Sequence, residues 1–145
     1  MSMQIDSGIY VLIIQLKKNT RLKIGKLGTF NFKKGYYLYV GSALKNLSKR
    51  LERHKKKKNK NLYWHIDFFL NDMNTEIKDI KIFSPEVFNE CELTKKIISI
   101  PGAKIKVKSF GASDCKKGCK SHFIFFKEYS ANVKEFFSNL NCNFQ

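Results

Sequence analysis

The sequence predicts one α+β domain: a small antiparallel, meander-like β-sheet flanked by helices, with extra hairpin strands near the N-terminus. Three observations carry this. Strand-like apolar runs separated by glycines fill the first 41 residues, and amphipathic helical segments then alternate with short strand patterns. The chain has 145 residues, 43% of them apolar and 14% aromatic, which suffices for one real hydrophobic core. Only 8 Gly and 2 Pro are present, with no repeat and no linker-like stretch, so residues 1–145 read as a single domain and extensive disorder is excluded.

Residues 8–16 (GIYVLIIQL) are almost continuously apolar and β-branched, which suits a strand buried on both faces. Residues 22–25 alternate, Gly28 marks a turn, and 36–40 (YYLYV) follow Gly35 as a further strand, giving an antiparallel meander. Gly41-Ser42 ends that strand, and Ser42 is placed to cap a helix over 43–57 with Leu44, Leu47 and Leu51 as its buried stripe. Arg50 and His54, four apart, share a helix face at the edge of that stripe. A second helix is expected over 62–71 with Ile66, Phe69 and Leu70 inward, then a strand over 78–83 and a helix over 87–98 ended by Ile100-Pro101-Gly102. Residues 104–110 alternate as a strand, 111–120 form a polar loop, 122–126 a short strand, and 131–140 a terminal helix.

Charge narrows the function classes. Lys+Arg number 28 against 12 Asp+Glu, a formal +16, which favours a polyanionic partner, either nucleic acid or an anionic membrane. The apolar run 9–16 is too short to span a bilayer and lacks the flanks of a signal peptide, so a cytoplasmic protein is expected. No amphipathic helix with a bulky apolar face accompanies the basic run, which counts against a membrane partner. Between Lys45 and Lys60 stand nine basic residues (Lys45, Lys49, Arg50, Arg53, Lys55, Lys56, Lys57, Lys58, Lys60) and one acid, Glu52, half of the net charge. The run is a solvated helix end or a phosphate-contacting surface in which each cation displaces counterions. Tyr63 and Trp64 follow it; aromatics beside a basic run stack on splayed bases, although Trp64 fits a core position better.

Gly8-Ile9-Tyr10 and Tyr39-Val40-Gly41 lie on two expected strands, and the second is followed by Ser42-Ala43 and a helix ending Lys49-Arg50-Leu51-Glu52-Arg53-His54. This ordered set resembles the GIY-YIG nuclease superfamily. Residues 35–43, Trp64-His65-Ile66-Asp67, Glu90-Cys91-Glu92-Leu93, Phe110 to Cys115 and Ser121-His122-Phe123 are similar to its Uri-type branch, so the resemblance covers about residues 7–127. The long gap between the half-motifs is typical of that branch.

The resemblance implies an endonuclease that hydrolyses DNA phosphodiester bonds with one Mg²⁺ or Mn²⁺, on single-stranded or structured substrates in a repair-type role. Tyr10 matches the general base or water-orienting group, and a phenol near pKa 10 needs a cation nearby to lower it. Tyr39 would hydrogen-bond water or phosphate, Arg50 would grip phosphate with its planar fork, and His54 would shuttle a proton or bind phosphate. Ser42, Lys45, Lys49, Arg53 and Lys55 to Lys58 are the expected nucleic-acid contacts. One helix glutamate should hold the metal, Glu92 with Glu90 in reserve. Cys115, Cys119 and His122 have a spacing able to wrap a structural zinc, which needs a fourth ligand; reduced cysteines are the default. His65 fits a structural role better than a catalytic one. No obligate protein partner is evident, and the rival reading is a non-catalytic nucleic-acid-binding module on the same fold.

Overall fold

The computed structural model describes residues 6–56, 61–84, 89–110 and 121–142. Its elements are β1 (Gly8–Leu16), β2 (Thr20–Ile24), β3 (Gly28–Phe32), β4 (Gly35–Ala43), α1 (Leu47–Lys55), α2 (His65–Leu70), β5 (Thr75–Phe83), α3 (Glu90–Ile98), β6 (Phe123–Phe126) and α4 (Ala131–Cys142). A four-stranded sheet of order β5-β1-β4-β6, antiparallel at each pairing, forms the centre, and β2-β3 pair separately. The chain is an α+β domain, and no helix among the described residues is long and apolar enough to cross a membrane.

Burial decides which strands take the centre. Every residue of β1 except Gln15 is buried, so it must be covered on both faces and lie between two partners. Tyr10, Leu12, Ile14 and Leu16 pack with Tyr37, Phe69, Phe110 and Phe123 on one face; Ile9, Val11 and Ile13 pack with Leu93, Ile97, Val133 and Phe137 on the other. Each such side chain contributes about 1.5–3 kcal/mol on burial. β2 and β3 cover only alternate residues, half-burying two in each strand and fully burying Ile24 and Phe32, which suits a one-faced hairpin laid against α2 rather than a place beside β1. The expected antiparallel sheet with an extra hairpin is present, and its strand order departs from a sequential meander: β1 pairs directly with β4, Gly8 opposite Ala43 through Leu16 opposite Gly35, with the hairpin inserted between them.

Other boundaries shift for local reasons. β4 runs through Ser42 and Ala43, and α1 starts only at Leu47, after Asn46 in a left-handed turn at φ 60°. Ser42 is not its cap. Asp6 is: its carboxylate accepts from Ser48 N at 3.0 Å and Ser48 Oγ at 2.8 Å, and its carbonyl accepts from Leu47 N. Leu44, expected in the buried stripe, therefore lies before the helix and is 90% exposed. The expected strand over 104–110 reduces to one bridge between Lys104 and Phe125, because Ser109 adopts φ 65° and the chain turns so that Val107 and Phe110 enter the core. Phe110 then stacks on Phe123 at 4.0 Å. The polar loop at 111–120 and the start of the helix at 87 lie outside the described residues.

Candidate active site

Two motif glycines make the first contact possible. Tyr10 and Gly41 face each other across β1 and β4, and a Cβ on Gly41 would stand 2.5 Å from the Tyr10 ring and hydroxyl. Without that Cβ the ring lies across the neighbouring strand and reaches α1. A Cβ on Gly8 would meet the Phe83 carbonyl at 2.9 Å, so this glycine lets β5 close on β1. Tyr10 Oη lies 2.8 Å from His54 Nε2, both residues being almost wholly buried. Tyr39 joins them, its ring 6.4 Å from Tyr10 and 6.3 Å from His54. Helical spacing delivers the histidine: Leu47 and His54, seven apart, are the buried residues of α1.

Arg50, one turn before His54, donates Nη1 to the Ser42 carbonyl at the end of β4, and its guanidinium stands 4.8 Å from the Trp64 ring. Arg53 covers the same ring at 5.1 Å. Trp64, weighed as a core residue, is thus a partly buried plate between α1 and α2. Arg53, expected as a phosphate contact, is tied to Asp67: Nη2 donates to Oδ2 at 2.8 Å, and a second bond goes to the Asn61 carbonyl. Asp67 is fully buried and its Oδ2 also accepts from Tyr63 N and Trp64 N, each at 2.9 Å, which caps α2 and fixes Trp64 beneath both arginines.

The two candidate glutamates part at the start of α3. Glu92 is exposed and folds back on Asn89, accepting from Nδ2 at 2.5 Å while its N–H donates to Asn89 Oδ1 at 2.8 Å. It serves the helix N-cap. Glu90 turns inward: Oε1 accepts from Ser42 Oγ at 2.8 Å, and Oε2 lies 3.7 Å from His122 Nε2. The other nitrogen of His122 is 2.8 Å from Thr94 Oγ1, which itself donates to the Glu90 carbonyl at 2.8 Å. His122, a zinc candidate on spacing, thus steadies Glu90; Cys115 and Cys119 lie outside the described residues. Among the described residues no cluster of three or more His, Cys, Asp or Glu stands ready for a metal. A lone half-buried carboxylate, pinned through one oxygen, does fit a hard cation that keeps most of its ligands as water and substrate oxygens.

Burial is the main force on the phenols. It pushes Tyr10 far above 10; Arg50 opposes the shift and Glu90 and Asp67 add to it. Tyr39 is also raised well above 10, first by burial and then by Tyr10 and Glu90. The expected lowering by a cation is thus corrected: Arg50 supplies it, but burial outweighs it, so Tyr10 is a neutral phenol at pH 7. His65 packs at 5.6 Å against Phe110 and burial lowers its pKa, in keeping with a structural role.

The site therefore brings together Tyr10, Tyr39, Arg50, His54, Ser42 and Glu90, and leaves Glu92 out. Lys45, Lys49, Lys55 and Lys56 are exposed along and beside α1; Lys57 and Lys58 lie outside the described residues. Sequence reading missed the parts played by Asp67 and Thr94. An acid three residues into a helix, after two aromatics, was the available signal for Asp67; nothing in the pattern marked Thr94. No curated protein and no solved structure shows significant similarity to the chain. The family model described as domain of unknown function DUF123 does match, over residues 9–142, and the chain belongs to that family.

Proposed function

We propose that the protein is a metal-dependent endonuclease of GIY-YIG type, close to the Uri branch, that hydrolyses DNA phosphodiester bonds in the cytoplasm. The observation that carries this reading is the convergence of the Tyr10–His54 pair, Tyr39, Arg50 and Glu90 at one end of the β1–β4 ladder. A structural cluster has no need of a guanidinium, two phenols, an imidazole and a carboxylate together.

Each group has a task that its surroundings permit. With His54 protonated on Nδ1, its Nε2 accepts from the Tyr10 hydroxyl. Tyr10 then passes its own proton to His54 as it takes one from the attacking water, so the phenol remains neutral and the imidazole becomes the cation. The hydroxide so formed attacks phosphorus in line, the bond to the leaving oxygen breaks, and that oxygen takes a proton from solvent. Arg50, oriented by the Ser42 carbonyl and the Trp64 ring, donates to phosphoryl oxygens where negative charge grows. Tyr39 positions the water or phosphate by hydrogen bonding. Glu90 would hold Mg²⁺ or Mn²⁺, which when bound neutralises phosphoryl charge.

The near-complete burial of Tyr10 and His54 favours a second reading, a module that binds nucleic acid without cutting it. Incubation with labelled single-stranded, flapped and duplex DNA, with Mg²⁺, Mn²⁺ or EDTA, separates the two. Cleavage that needs the metal and is slowed about 10²-fold or more by Arg50→Ala and by Glu90→Gln is the expected result. Binding without cutting on every substrate gives the module reading, and cleavage indifferent to both substitutions removes the assigned site.

A further inference from the structure

At the opposite end of the β1–β4 ladder lies a cleft of ≈890 Å³, lined by Lys17, Lys33, Lys34, Lys104, Lys106 and Lys127. Among the described residues its one acidic lining residue is Glu128. From Tyr10 to Leu16 the strand advances on the order of 20 Å, so this cleft stands apart from the candidate active site. None of its lysines belongs to the 45–60 run.

The cleft is built, not an accident of floppy side chains. Four separate chain segments bring the lysines together. Asn19 Oδ1 accepts from Lys34 N at 2.8 Å, joining the β1–β2 and β3–β4 turns. The Tyr37 hydroxyl donates to the Lys33 carbonyl at 2.7 Å, and Lys104 and Phe125 exchange backbone bonds of 3.0 and 2.8 Å. Lys106 Nζ stands 5.1 Å over the Phe125 ring. Lys17 pairs with Glu76 at 3.2 Å, whereas no ion pair joins the other five to an acid among the described residues. Like charges held in one concavity repel, a cost that a polyanion would lift by displacing their counterions.

We propose that this cleft is a second nucleic-acid site, holding a stretch of phosphate backbone distant from the scissile bond. The inference rests on the nucleic-acid ligand of the reading above, but not on its cleavage chemistry. Six cations spread over such a volume suit a string of phosphates better than one small anion, and a concave wall suits a strand better than a flat lipid surface. The floor residues Leu16 and Phe125 are buried, and among the described residues none of the large exposed hydrophobics lines the cleft to enter a bilayer.

The test is fluorescence anisotropy in EDTA with a labelled oligodeoxythymidylate of about 24 nucleotides, longer than the roughly 4–16 that one small binding fold covers. Wild type is compared with the Lys33→Gln/Lys34→Gln/Lys104→Gln variant. These residues make their structural bonds through backbone atoms, so folding should persist, and the triple Arg replacement serves as a charge-preserving control. Affinity should fall about tenfold or more at low salt, and the slope of log K against log salt should become shallower by about 2, with Arg restoring both. An unchanged affinity and slope, no oligonucleotide binding by wild type, or a loss confined to phosphatidylserine vesicles would each overturn the site. Intact binding loss alongside absence of cleavage by wild type would keep this site and remove the nuclease reading instead.

Discussion

The two ends of the β1–β4 ladder handle positive charge differently. At the Gly8–Ala43 end, Arg50 and Arg53 are held by a carbonyl, a carboxylate and the Trp64 ring, and Tyr10 is bonded to His54 and Ser42 to Glu90 beside them. At the Leu16–Gly35 end, ammonium groups line an open cleft: Lys17 pairs with Glu76 and Lys106 lies over Phe125, and beneath Lys33 and Lys34 it is the backbone that is fixed. On the proposed reading, a few placed groups would do chemistry and many loosely placed ones would give affinity. The first end should therefore respond steeply to single substitutions, and the second only to several at once.

The largest expected effect falls on the web beneath Arg53. Asp67→Ala leaves Arg53 and two backbone N–H groups without their shared acceptor, and should destabilise the fold by about 3–5 kcal/mol in chemical denaturation. A loss below about 1 kcal/mol would mean that the pair is no more than a surface ion pair. Next come Glu90→Gln and Arg50→Ala, each expected to slow DNA cleavage about 10²–10³-fold, while Glu92→Gln, placed at the N-cap, stays within about twofold. A larger loss at Glu92 than at Glu90 would reverse the assignment of the carboxylate.

Gly41→Ala tests the geometry without touching a charge. The added methyl group overlaps the Tyr10 ring, and relief requires the phenol to move off His54. Overpacking of this kind costs about 1–3 kcal/mol, visible as a lower Tm, and cleavage should fall further than stability does. Equal cleavage in a stably folded Gly41→Ala protein would show that the Tyr10–His54 bond is not used.

How legible this end was in the sequence follows from the same residues. β1 could be read because burial on both faces leaves a continuous apolar run, and α2 because Ile66, Phe69 and Leu70 repeat at helical spacing. Gly8, Tyr10, Tyr39 and Gly41 stood out because their order resembles the GIY-YIG half-motifs, and the β1–β4 register brings them together. What sequence could not supply was long-range selection. Glu90 and Glu92 look alike two residues apart, and Ser42, 48 residues away, is what draws one of them inward. The extra hairpin was legible from its glycine-marked strands, but the direct pairing of β1 with β4 was not, since any of the nearby strands satisfied the local pattern. The lysine cleft left no local trace because four distant segments build it.

Alkaline titration gives the smallest effect and compares the ends by one probe, the buried phenol. Tyr10 and Tyr39 lie at the first end, and Tyr37, bonded to the Lys33 carbonyl, lies toward the second. Burial raises all three above 10. Above pH 10 the unfolded chain releases protons that the folded chain retains, so stability must fall as pH rises, by up to about 1.4 kcal/mol per pH unit for each phenol. Below pH 10 both states hold the protons and the phenols contribute no slope. Melting temperatures between pH 9 and 11 should therefore be flat and then decline, and Tyr10→Phe or Tyr37→Phe should each make the decline shallower. Equal relief from the two substitutions would mean that burial alone governs both ends. Smaller relief from Tyr10→Phe would mean that Arg50 offsets more of the burial than the geometry implies, and would bring Tyr10 nearer to serving as a base in its own right.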